Sequence, residues 1–205
     1  MTSSFATGGN NMTPTLRYSL IYGGLASAVL AAFIAVVGFL HHQVKWVATE
    51  AFGYSVMLVA MSFIFVGVKR YRDVENGGVI KFWRAFGLGL LIALIAGVAY
   101  VLIFELYLAV TDYQFMNEYI AGALKSAHEA GMSAQAIAKQ AAELDQMRRM
   151  FANPWFRIPM EFIEVAPVGL VVALVSAALL RNPKLLPARD NVRAASPSPS
   201  PTDPA

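Results

Sequence analysis

Four long apolar stretches dominate this sequence, and they determine the solvent in which the chain folds. They cover residues 18–40, 52–68, 86–110 and 162–180. A helix needs about 20 mainly apolar residues to cross a hydrocarbon core roughly 30 Å thick, and each stretch is close to that length or longer. Because backbone groups in lipid must be satisfied internally, each stretch is predicted to be a helix. The sequence therefore predicts an all-α fold with a bundle of four transmembrane helices.

The composition supports a membrane protein over a soluble one. Hydrophobic residues make up 57% of the chain and charged residues only 14%, whereas about 25% of an ordinary soluble domain is charged. The chain has no cysteine, which excludes disulfides, thiolate metal sites and a cysteine nucleophile. The net charge of +3 does not indicate nucleic acid binding, because the basic residues flank the apolar stretches.

The basic residues predict the orientation of the four helices. Five of them lie in the segment 69–84, whereas the loop between the first two stretches has only Lys45 besides two histidines. Short basic loops stay in the cytoplasm. We therefore expect both termini in the cytoplasm and the long loop 111–160 outside. The C-terminal tail agrees with this orientation because it carries Arg181, Lys184, Arg189 and Arg193.

The outer loop is predicted to form an extracytoplasmic helical hairpin between the third and fourth transmembrane helices. Its two helices are expected at residues 113–129 and 133–151, with a break at Gly131. Ser133 suits the N-cap of the second helix, because its hydroxyl can accept a hydrogen bond from a free amide of the first turn. Two explanations of the hairpin remain open: it caps the bundle or lies on the membrane surface, or it docks a partner.

The two termini have compositions typical of disordered chain. Residues 1–16 are rich in Ser, Thr, Gly and Asn, and residues 187–205 are rich in Pro and Ser. Such segments bury too little apolar surface to fold. The predicted membrane domain is therefore residues 17–186. Within it, small residues that would let helices approach closely are Gly23, Gly24, Ala26, Gly87, Gly89 and Gly97.

Ionisable residues near the outer ends of the helices are the candidate functional residues. Charged groups are costly at membrane depth, so their presence there calls for an explanation. Three explanations remain open: the glutamates lie at the water boundary or bond to nearby tyrosines, they share protons in an ion or proton pathway, or they bind a divalent metal together with histidine. The candidates for ion or proton binding are Glu50, Glu105, Glu161, Glu164, His41 and His42.

No sequence motif identifies a reaction. There is no phosphate-binding loop and no nucleophile elbow, so no catalytic or cofactor-binding residue is predicted, and an enzyme acting on lipid or envelope substrates is disfavoured. The favoured function is a structural or accessory membrane protein whose outer acidic layer binds a cation or proton. The alternative is a transporter or channel component that acts as an oligomer. The expected partners are membrane lipids and a second copy of the chain or another membrane protein.

Several segments resemble a known family. The segments 50–57 and 62–73, the following Asn76-Gly-Gly, residues 82–86 and the segment 161–169 are similar to the bacterial membrane family catalogued as domain of unknown function 4199. The resemblance covers about residues 17–182 and is most specific around 67–78. It implies a four-span bacterial inner-membrane protein with no assigned activity, and it supplies no catalytic residue, ligand or partner.

Overall fold

The computed structural model describes residues 12–40 and 50–188, and within these ranges the chain is helical, with turns between the helices and no strand. There are six helices in the described part of the chain. They are α1 (Pro14–Leu40), α2 (Glu50–Glu75), α3 (Phe82–Val110), α4 (Phe115–Glu129), α5 (Ala134–Phe151) and α6 (Pro154–Leu180).

Four of these helices, α1, α2, α3 and α6, are long and apolar enough to cross a membrane. The four predicted spans are therefore confirmed as helices, and the chain is a multi-pass membrane protein. Helix α6 includes the predicted span 162–180 and begins before it, at Pro154. The Asn153 side chain accepts a hydrogen bond from the Trp155 amide at 3.1 Å, and proline is favoured in a first turn, so the helix begins there.

The four long helices lie side by side. α1 packs against α2 and α3, and α6 packs against the same two helices, while α2 and α3 also touch each other. Leu30, Met61 and Ile92 are fully buried where these helices meet. Apolar side chains also cover the outer surface: Leu102 on α3 is 65% exposed and Ile163 on α6 is 59% exposed. An apolar surface of this kind suits contact with lipid tails.

Two neighbouring glycines in α1 differ in the space around them. A Cβ atom added to Gly23 would lie 2.7 Å from Cγ2 and 2.8 Å from Cβ of Ile95 on α3, whereas one added to Gly24 meets nothing within 4 Å. The lack of a side chain at Gly23 therefore lets α1 and α3 approach closely. The predicted small residues thus divide into those that serve packing within the chain and those that face outward.

Helices α4 and α5 pack against each other as a hairpin, at the end of the long helices that we call the hairpin end. Ser133 caps α5 as predicted, with its Oγ accepting from the Ala136 amide at 3.3 Å. The hairpin contacts the long helices through aromatic rings, because Phe115 packs edge-on against Phe104 with ring centroids 5.4 Å apart. Phe151 also packs against Phe115, at 6.2 Å between centroids.

The opposite end, where α1 begins and α6 ends, is called the terminal end. Arg72 of α2 is fully buried there, and its guanidinium donates hydrogen bonds to the carbonyl oxygens of Leu185, at 3.1 Å, and Leu186. Arg72 Nε also donates to Asp73 at 2.8 Å. Arg72 therefore satisfies carbonyl groups of the turn after α6 and fixes that turn against α2.

Tyr71 joins the other helices at the terminal end. Its hydroxyl accepts a hydrogen bond from Arg84 of α3 at 2.7 Å and lies 3.3 Å from Thr15 Oγ1 of α1. Its ring packs edge-on against Tyr18, with centroids 5.4 Å apart. The segment 67–78, which carries the most specific part of the resemblance, thus has structural contacts with α1, α3 and α6.

Candidate functional site

A buried arginine joins several helices at the hairpin end. Arg157 lies in the first turn of α6 and is only 3% exposed. Its Nε and Nη2 donate to the two carboxylate oxygens of Glu105 on α3, both at 2.7 Å. Two parallel charge-assisted hydrogen bonds of this kind are among the strongest side-chain contacts in proteins. The pair therefore joins α3 to α6.

Arg157 also joins the hairpin to the long helices. Its Nη1 donates to the carbonyl oxygen of Phe151, at the end of α5, at 3.0 Å. The guanidinium lies over the rings of Tyr113 and Phe151, 5.3 Å and 5.5 Å from their centroids, where the π-faces attract a cation. Tyr113 and its neighbour Asp112 have φ angles of 55° and 50°. Such angles are unusual for a bulky residue, and the Tyr113 ring contacts Arg157 in this conformation.

Glu161 lies one helical turn beyond Arg157 and is 4% exposed. Its Oε1 is 3.6 Å from Arg157 Nε, within range of an ion pair. Neither of its carboxylate oxygens has a hydrogen-bond partner in the described part of the chain. The reason is geometric, because Arg157 directs its Nε and Nη2 at Glu105 and its Nη1 at Phe151. The cluster of Arg157, Glu105 and Glu161, which we call the buried charge cluster, thus contains two carboxyl groups and one permanent cation.

Glu164 does not share the environment of Glu161. The two residues are three positions apart on α6, but Glu161 is buried and Glu164 is exposed. Residues three apart differ by about 60° around a helix, which is enough to separate an inward from an outward side chain. Both carboxylates nevertheless lie within electrostatic range of the Tyr100 hydroxyl on α3. Tyr100 is itself buried, with 6% of its surface exposed.

A cavity of about 80 Å³ adjoins the buried charge cluster at the hairpin end. Since a water molecule occupies about 30 Å³ in the liquid, the cavity has room for a few waters. Its lining includes both apolar side chains and polar groups that could bind them. The lining residues are Leu108, Tyr113, Met116, Asn117, Arg148, Phe151, Ala152 and Arg157.

The other predicted candidates give less information. His41 and His42 lie outside the described residues, and so does the side chain of Glu50. Among the residues that the structure does describe, no group of three His, Cys, Asp or Glu side chains could hold a metal ion. A divalent metal therefore stays a prediction from the sequence.

Arg157 is the residue that the sequence analysis missed. The predicted outer loop, residues 111–160, included it without assigning it a role. Two signals could have identified it: Asn153-Pro154 is a typical helix start, and Arg157 precedes Glu161 by the four residues that place side chains on one helix face. A helix beginning at residue 154 would have carried Arg157 inward together with Glu161.

Comparisons with known proteins identify a family for this chain. Neither the curated proteins nor the solved structures include a match to the chain. One family model, described as "Protein of unknown function (DUF4199)", matches residues 17–182, which is most of the 205-residue chain. The resemblance found in the sequence is thereby confirmed, and the chain belongs to the DUF4199 family of proteins of unknown function.

Proposed function

We propose that this membrane protein holds an exchangeable proton on Glu161, within the buried charge cluster. The observation that carries the proposal is that both carboxylate oxygens of Glu161 lack a hydrogen-bond partner among the described residues, although the side chain is only 4% exposed. A buried carboxylate without hydrogen bonds is costly unless its charge is compensated. Binding a proton removes that charge.

The charge balance of the cluster leads to the same conclusion. Arg157 supplies one positive charge, which mainly compensates the carboxylate of Glu105 through two short hydrogen bonds. Glu161 receives only the longer contact of 3.6 Å. With both carboxyl groups ionised, the cluster would carry one net negative charge in a region of low dielectric. One bound proton makes the cluster neutral.

A proton fits this position better than a metal ion. Hard cations such as Ca²⁺ require six or more oxygen ligands, whereas a proton needs one oxygen. The ionisable groups around Glu161 are Arg157 and Glu164 on its own helix and Glu105 and Tyr100 on α3. Only one of these, Arg157, is cationic. The cavity beside Arg157 has room for water at one member of the cluster, and Glu161 is not among its lining residues.

The test is the pH dependence of thermal unfolding for the wild type and Glu161→Gln. If Glu161 is protonated in the folded state and ionised in the unfolded state, the folded state binds one more proton near neutral pH. Stability must then fall as pH rises, by about 1.4 kcal/mol per pH unit for one proton. Glu161→Gln should remove this slope and unfold at a higher temperature than the wild type at neutral pH. Glu143→Gln, on the exposed surface of α5, is the control and should keep the wild-type slope.

Infrared spectroscopy provides the independent readout. The wild type should show a band from a protonated carboxyl group near neutral pH, and Glu161→Gln should lack it. An unchanged band in that variant would refute the proposal, as would equal pH slopes for the two proteins. If divalent cations stabilise the wild type but not Glu161→Gln, the site binds metal and the proton proposal is wrong. Proton flux into proteoliposomes that depends on Glu161 would favour the transporter alternative over an accessory role.

We further propose that the terminal end faces the cytoplasm of a bacterium and the hairpin end faces outward across the inner membrane. The support is the charge rule, since basic residues are concentrated in the segment 69–84 and after Leu180. Because the chain has no cysteine, single cysteines can report orientation. A membrane-impermeant maleimide should label Ser133→Cys in intact cells and should not label Lys184→Cys. The reverse pattern would refute this orientation.

A further inference from the structure

The terminal end carries more positive charge than its own acidic residues can neutralise. Two carboxylates lie there among the described residues, Asp73 and Glu75. Both are already engaged: Lys69 lies 2.6 Å from Asp73, and Arg17 lies 3.3 Å from Glu75. The buried Arg72 also bonds to Asp73. The basic residues at this end are Arg17, Lys69, Arg70, Arg72, Lys81, Arg84, Arg181 and Lys184.

Five of these cations have no carboxylate partner in the part of the chain that the structure describes. Arg84 donates to the hydroxyl of Tyr71, a neutral group, and so keeps its full charge. The other four are exposed side chains for which the described residues provide no ion pair. We call these five the basic rim: Arg70, Lys81, Arg84, Arg181 and Lys184.

At the hairpin end, the exposed cations of α4 and α5 are paired with carboxylates. Each exposed cation of α4 and α5 lies within 4.0 Å of a carboxylate on its own helix, as in the pairs Lys125–Glu129 and Lys139–Glu143. Asp145 serves both arginines that follow it, with contacts of 2.6 Å and 2.8 Å. The hydrogen bond from Arg148 lowers the pKa of Asp145 below its usual value, so the carboxylate stays ionised. Uncompensated positive charge is thus a property of the terminal end.

We propose that the basic rim binds the headgroups of anionic phospholipids. Its members lie close to the ends of helices that cross the membrane, which is the level of lipid headgroups. Trp83 marks that level, because it is 77% exposed between Lys81 and Arg84 and tryptophan prefers the membrane interface. A lipid phosphate supplies the negative charge that the rim lacks, and the apolar surfaces of the helices contact the acyl chains. The proposal is independent of the proton on Glu161.

The expected affinity change follows from the charge. A basic residue near an anionic membrane surface contributes about 1 kcal/mol to binding, which corresponds to about fivefold in affinity. Removing three charges from the rim should therefore weaken binding by about two orders of magnitude. Because the rim side chains are exposed, these substitutions should leave the fold intact, which thermal unfolding can verify.

The experiment compares two triple variants in detergent by titration with a short-chain fluorescent phosphatidylglycerol. One is Arg70→Gln/Lys81→Gln/Lys184→Gln, from the rim. The matched control, Lys125→Gln/Lys139→Gln/Arg149→Gln, removes three cations from the hairpin end. The rim variant should lose about 100-fold in affinity for phosphatidylglycerol. The control should change by less than about fivefold, the effect of a single charge, and phosphatidylcholine should bind both proteins weakly.

Three results would overturn the proposal. The first is an equal loss of affinity in both triple variants, which would indicate a nonspecific effect of net charge. The second is equal binding of phosphatidylglycerol and phosphatidylcholine by the wild type. The third is displacement of the lipid by inorganic phosphate at the same concentration as by phosphatidylglycerol, since the rim would then be a site for free anions.

Discussion

Replacing Arg157 by methionine should strongly destabilise the protein. Methionine keeps most of the side-chain volume but removes the charge and all five donor hydrogens. The wild-type guanidinium makes two hydrogen bonds of 2.7 Å to Glu105, one of 3.0 Å to Phe151, and contacts with two aromatic rings. Its loss leaves the carboxyl groups of Glu105 and Glu161 without a cation.

The magnitude follows from the burial of the partners. Breaking a buried ion pair by removing one member costs about 3–5 kcal/mol. The Glu105 side chain is 22% exposed, so water can relieve part of that cost, and we expect a loss near 3 kcal/mol. For a chain of this length, each kcal/mol lowers Tm by about 2–4 °C. The expected decrease in Tm is therefore about 6–12 °C.

The measurement is thermal unfolding in detergent, followed by tryptophan fluorescence. Arg149→Met is the matched control, because Arg149 is 74% exposed and its ion pair with Asp145 contributes little. The double variant Glu105→Gln/Arg157→Met should be more stable than Arg157→Met alone, because it no longer buries the unpaired carboxylate of Glu105. If Arg157→Met unfolds at the same temperature as Arg149→Met, or if the two changes of the double variant are additive, Arg157 does not hold the hairpin end together as described.

Two further predictions concern the packing of the long helices. Gly23→Ala should lower the free energy of unfolding by about 1–3 kcal/mol, because the added methyl group would overlap Ile95. Gly24→Ala should not lower it, because the space around Gly24 is open. Equal Tm values for these variants would contradict the close approach of α1 and α3. Arg72→Met should increase hydrogen exchange in residues 181–188, which lose their bonds to the guanidinium, while Arg70→Met, at an exposed neighbour, should leave that exchange unchanged. Unchanged exchange in Arg72→Met would show that the turn after α6 is held by other contacts.

The sequence was sufficient for the parts of the fold that depend on local pattern. Apolar length identified the four spans, and the cap at Ser133 and the break at Gly131 identified the hairpin, because these features act within one helix or one turn. The contacts of Tyr71 and Arg72 could not be predicted in the same way. The bond between Tyr71 and Thr15 joins residues more than 50 positions apart, and those from Arg72 to the chain at the end of α6 span more than 100 positions. A single sequence contains no signal for which helices become neighbours.

The candidate site shows why the position of a helix start decides how buried charges are interpreted. With α6 placed at residue 162, Glu161 and Glu164 appeared as similar boundary residues and Arg157 as a loop cation. With α6 beginning at Pro154, the same residues separate into a buried carboxyl, an exposed carboxyl and a buried guanidinium. The guanidinium is bonded to Glu105, and this leaves Glu161 as the group whose charge is not balanced. A proton on Glu161 is therefore expected because Arg157 is bonded to Glu105, and not because several glutamates lie near the membrane boundary.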